Sequence, residues 1–113
     1  MRFEDLEVWK RSCRLSVEIY KALNNCKDFS FKDQITRSSL SVPSNIAEGF
    51  ERNSDKDSVK FFYYAKGSCG ELRTQIYIGI EIGIISKEVG LKWKDEAEQI
   101  SKMLSSFIKS RTV

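Results

Sequence analysis

Histidine is missing altogether from the 113 residues. Its absence removes the commonest general base and the commonest metal ligand. Cysteine is sparse: Cys13, Cys26 and Cys69 stand far apart, with no CxxC and no ExxH anywhere. No Cys/His metal spacing exists, so neither a metal nor a cofactor is expected, and the thiols read as reduced ones of a cytoplasmic protein. Long apolar runs are lacking too. The longest, Ile76 to Ile85, contains Glu81 and is about half of the ~20 residues that a bilayer requires. The opening MRFEDLEVWKR carries no apolar stretch of the secretory kind, so no membrane partner is expected. No glycine-rich phosphate loop occurs, and GSCGE at residues 67–71 does not fit one.

What is present describes one domain. Hydrophobic residues make up 41% and charged residues 31%, with a single proline, a balance that suits a compact fold. The net charge of +3 is mild, and its excess lies at the two ends: residues 1–27 carry six basic and four acidic side chains, as do residues 84–113. Such a balance permits contact with nucleic acid without demanding it.

Polar breaks divide the chain into four helical segments, about residues 5–23, 31–49, 55–84 and 87–109, connected by loops short enough for an antiparallel up-down bundle. The first has two apolar stripes. Leu6, Trp9, Cys13, Val17, Tyr20 and Leu23 form the larger, read as the core face; Val8, Leu15, Ile19 and Ala22 form a second, left for another partner. Ser30 with Asp33, and Ser54 with Asp57, resemble capping boxes with Asp in place of Glu. In the third segment Phe62, Ala65, Cys69, Leu72 and Ile76 repeat with helical period. IYIGIEIGII within it also alternates with period two, as a strand would. Trp93, Ile100 and Phe107 stand a heptad apart in the fourth.

The second segment is unusual. SVPSNIAEGF, Ser41 to Phe50, puts a proline and small polar residues where a helix normally carries leucines. Gln34, Arg37, Ser41, Ser44, Asn45 and Glu48 recur at steps of three and four, so they share one side. That stripe has three readings: a contact surface with Arg37 as its charged group, a polar seam against Ser68 and Glu71 of the third segment, or a solvated face. Gly67 and Gly70 favour the seam. Glycine within a helix costs about 1 kcal/mol against alanine, and close approach of a neighbouring backbone would account for two of them. Pro43 is expected to kink or break the helix.

FEDLEVWKRS at Phe3–Ser12, QITRSSLSVPSNIAEGF at Gln34–Phe50 and FFYYAKGSCGEL at Phe61–Leu72 together resemble the ribosomal-RNA intervening-sequence proteins, also called four-helix-bundle proteins. The order and spacing of the blocks agree over nearly the whole chain. The resemblance implies an all-α, left-handed up-down four-helix bundle and a homopentamer. It settles residues 76–85 as helix. Some members are encoded within intervening sequences of large-subunit ribosomal RNA genes, and relatives serve diversity-generating retroelements beside a reverse transcriptase. The family usually has alanine where Ser38 and Ser39 stand, a departure expected to weaken packing slightly.

The function expected is therefore that of a non-enzymatic oligomer that binds structured RNA or other nucleic acid through distributed basic residues: Lys10, Arg11, Arg14, Lys21, Arg37 and Arg52. The bland alternative for the first four is a solvated face paired with Glu7 and Glu18. A second class of function is a scaffold or accessory subunit that holds a partner protein. Val8, Leu15 and Ile19 of the first helix, with Tyr64, Ile78 and Ile82 of the third, are the expected subunit interface. Catalysis has little basis, since Ser41 and Ser44 have neither a histidine nor a lysine within one turn. The four aromatics Phe61 to Tyr64 point in four directions and cannot form one base-stacking platform.

Overall fold

A computed structural model describes residues 2–112, over which the chain forms four α-helices and one short 3-10 turn. The turn covers Phe3–Asp5; the helices are α1 (Glu7–Ala22), α2 (Phe29–Phe50), α3 (Asp55–Glu81) and α4 (Lys87–Arg111). Three of the helix starts carry a side-chain cap. Ser54 accepts from the Asp57 amide and Ser86 from the Val89 amide, both at 3.2 Å. For α2 the cap is Asp28, which accepts from the Phe31 amide at 3.1 Å. The expected start at Ser30 is thus two residues late: a carboxylate is available earlier, and Ser30 falls within the first turn.

Residues 76–85 are helix as far as Glu81, and the chain then turns through Gly83 at φ +80°, a left-handed conformation that favours glycine. The amides of Ile84 and Ile85 both donate to the Gly79 carbonyl, at 2.9 and 3.0 Å, and close the helix end. Pro43 does not end α2. Its missing amide leaves only the Ser39 carbonyl without an intrahelical donor, and the helix continues to Phe50.

Successive helices are antiparallel neighbours, and α1 closes the ring against α4. The molecule measures 43 × 21 × 19 Å; at 1.5 Å per residue the 27-residue α3 accounts for about 40 Å of the long axis. The core runs along it through Ile19, Ile35, Ile46, Phe62, Leu72, Ile76, Ile100 and Leu104, all fully enclosed.

The faces of α1 differ in part from those expected: Leu6 and Leu23 are buried in the core and Trp9 packs against it, but the middle of the helix turns the other way. Val8, Leu15 and Ile19, expected between subunits, are 1%, 4% and 0% exposed and belong to the core of the bundle. Val17 and Tyr20, expected in the core, are 50% and 44% exposed. The reason lies in the residues between. Ser12 and Ser16 are buried on the Val8 side, where small side chains let α1 approach the serine-rich α2. Their hydroxyls are satisfied there: Ser12 donates to the Trp9 carbonyl at 2.9 Å, and Ser16 meets Ser39 at 3.1 Å. The serine at 39 is therefore part of the α1–α2 contact. Ala22, placed on the same stripe, is exposed.

Gly67 and Gly70 do not serve the close approach expected of them. A methyl group at either would meet nothing within 4 Å, so neither glycine admits a neighbouring helix of the same chain. Gly49 does: a Cβ there would lie 2.5 Å from Cε1 of Phe62. It permits close packing one residue before α2 ends.

Candidate functional site

Of the eight polar residues on α2 and α3, three come together. The hydroxyls of Ser41 and Ser68 lie 2.9 Å apart across the two helices, and Asn45 Nδ2 donates to both the carbonyl and the hydroxyl of Ser41, each at 2.9 Å. Ser68 is buried, and Ser41 and Asn45 are half-buried. This is a seam of mutually satisfied groups, which avoids the ~1–3 kcal/mol cost of a buried unpaired hydroxyl. The other members face outward. Gln34, Ser44 and Glu71 are exposed, Arg37 pairs with Asp33 at 3.0 Å, and Glu48 pairs with Arg52 one turn on.

The six candidate nucleic-acid residues divide equally. Arg11 grips Glu96 of α4 with two parallel hydrogen bonds, Nε to Oε2 at 2.9 Å and Nη2 to Oε1 at 2.6 Å. Each partner favours the other's charge: the bond holds the Glu96 carboxyl below the usual carboxylate range and raises the Arg11 guanidinium. Arg52 bonds Glu48 and also stacks 4.4 Å over the Phe61 ring. Arg37 is held by Asp33. Lys10, Arg14 and Lys21 remain, exposed and outside every ion pair among the described residues. They stand at i, i+4 and i+11, along one stripe of α1.

Beside that stripe is an apolar groove of about 430 Å³ between α1 and α2, walled by Cys13, Val17, Tyr20, Leu40 and Pro43 with Lys21 at its edge. Leu40 is the wall residue that the sequence motifs do not single out. Its position off the Ile35, Val42 and Ile46 stripe was the available signal, and it is 50% exposed. On α3, Tyr64, Ile78 and Ile82 are 48%, 48% and 54% exposed, as expected for a face with no partner inside the chain. Phe62 is buried while Tyr63 and Tyr64 are exposed, so the aromatic run forms no single platform.

Among the described residues no three His, Cys, Asp or Glu side chains converge as a metal site would require, and no helix is long and apolar enough to cross a membrane.

Known proteins share this architecture. The model of the 23S rRNA-intervening sequence protein family matches residues 4–106. Among solved structures the chain is similar to a 1.70 Å crystal structure of a protein with unknown function from the S23 ribosomal protein family, from Bacteroides thetaiotaomicron VPI-5482. The TM-score is 0.85 at 29% identity, over 90% of this chain and 98% of that one. No curated protein matches.

Proposed function

We propose that this chain, which belongs to the 23S rRNA-intervening sequence protein family, is a non-enzymatic helical bundle that works by assembling with copies of itself. The observation that carries the reading is the amount of large apolar surface left outside a completed core. Val17, Tyr20 and Leu40 flank one groove, and Tyr64, Tyr77, Ile78 and Ile82 lie along the outside of α3. Contiguous exposed apolar patches on a small domain mark interaction surfaces. The polar residues that would serve chemistry are spent on one another in the Ser41–Ser68–Asn45 seam.

Sedimentation of the purified chain over a range of micromolar concentrations tests this. An assembly is expected, and the homopentamer implied by family resemblance would have a mass of about 65 kDa, five times that of the 13.1 kDa chain. A monomer at every concentration would overturn the proposal.

A second reading, RNA binding, is supported by Lys10, Arg14 and Lys21, which are exposed and form no ion pair among the described residues. Five copies would bring a net charge of about +15 to one particle, where avidity raises weak affinities. Its test is anisotropy of a labelled 23S ribosomal RNA fragment against salt. Binding that weakens steeply with salt yet survives at physiological strength supports it; none at low salt refutes it.

A further inference from the structure

Assembly from identical copies requires two surfaces that fit each other. The groove between α1 and α2 and the outer face of α3 are made by different helices, so one copy can offer the groove while another offers the face. Their charges are complementary. Lys10 and Lys21 stand on the α1 stripe that borders the groove, unpaired and exposed, and at 1.5 Å per residue they are about 16 Å apart. Glu71 and Glu81 on α3 are likewise exposed and outside every ion pair among the described residues; their spacing along the helix is about 15 Å. Between each pair of charges lies apolar surface: Val17 and Tyr20 on α1, Ile78 on α3, with Ile82 just beyond.

Resting on self-association as the function, we propose that the outer face of α3 in a second copy of this chain lies in the α1/α2 groove. This places Ile78 and Ile82 against Val17, Tyr20 and Leu40 and brings Lys10 and Lys21 to Glu71 and Glu81. Two different patches meet in such a contact. Each copy keeps a free groove or a free face, so the contact repeats until the assembly closes on itself. The open space over Gly67 and Gly70 lies on the same side of α3 and leaves room for the neighbour's helices.

Charge exchange tests the pairing without touching the core. The variants are Lys10→Glu/Lys21→Glu, Glu71→Lys/Glu81→Lys, and the quadruple variant that carries both sets. All four positions are exposed, and circular dichroism verifies the fold. Each double variant is expected to weaken assembly by about 100-fold in dissociation constant through like-charge contact, and the quadruple variant to restore it. Mixing the two double variants should restore contact between unlike copies, since each groove then meets a face of opposite charge, while a ring of five would keep at least one contact between like charges. Double variants that assemble like the wild type, or a quadruple variant that fails to recover, would overturn the pairing while leaving self-association standing. A monomeric wild type would remove both. Loss of 23S RNA-fragment binding in Lys10→Glu/Lys21→Glu with assembly unchanged would assign these cations to RNA and overturn the inference.

Discussion

Gly49→Ala puts the packing of the α2 end to a direct test. The added methyl group would lie 2.5, 2.9 and 3.2 Å from Cε1, Cδ1 and Cζ of Phe62. That ring cannot withdraw easily. It is 0% exposed, with Phe50 at 5.2 Å, Phe107 at 6.1 Å and the Arg111 guanidinium 5.3 Å over its face. Overpacking of this kind costs about 1–3 kcal/mol. Alanine in place of glycine returns at most about 1 kcal/mol of helix propensity, and less near a helix terminus. The net expectation is a loss of about 1–2 kcal/mol, a fall in Tm of roughly 5 °C for a domain of this size. Thermal and urea unfolding at one fixed protein concentration would measure it, fixed because assembly shifts apparent stability. On a Phe62→Leu background the same substitution should cost little, since the rigid ring is gone. Gly90→Ala meets the flexible Cδ1 end of Ile80 at 2.5 Å and should cost less than Gly49→Ala. Gly67→Ala, with open space around it, should add about 0.5–1 kcal/mol. A Gly49→Ala protein as stable as the wild type, or one penalised equally on both backgrounds, would refute the reasoning.

Ile19→Glu should abolish the fold and not merely the assembly, because it buries a charge at a fully enclosed site; the loss should exceed about 4 kcal/mol, visible as lost helical circular dichroism. Val17→Glu, at a half-exposed site, should keep the helical spectrum and lose assembly by sedimentation. Glu96→Gln should cost about 1–2 kcal/mol at neutral pH by removing the charged partner of Arg11. Because the folded Glu96 pKa is lowered, its contribution is present above the unfolded carboxylate pKa of about 4.3 and is lost as pH falls through the lower folded value; urea midpoints of variant and wild type should therefore converge in acid. In a Ser41→Ala, Ser68→Ala cycle the double variant should cost less than the sum of the singles, since neither hydroxyl is then left unpaired; strict additivity would argue against the seam. Cys69, buried with its thiol pushed up to about 12, should resist alkylation in the native protein and react only on unfolding.

The four helices were legible because apolar periodicity and capping residues are local properties. Ser54 marks the start of α3 in the sequence as plainly as in the fold, and the Ser41–Ser68 pairing follows from small polar residues facing each other on neighbouring helices. Where two local signals competed, the sequence misled. Asp28 and Ser30 are both good caps two residues apart, and only the path of the chain into α2 chose the carboxylate.

The faces of α1 show why the rest was out of reach. The sequence by itself determined that this chain is a four-helix bundle of one family, with more apolar surface than a single core can use. It did not determine which of the two α1 stripes turns inward. Hydrophobicity favoured the Trp9–Val17–Tyr20 side; the structure buries Val8, Leu15 and Ile19 together with Ser12 and Ser16. That choice depends on how closely α1 can approach α2, hence on the size of side chains brought together across the helices and on hydroxyls that find partners only there. Which arginines stay free was decided in the same way: Arg11 meets Glu96, 85 residues away in the sequence, because packing brings α4 beside α1.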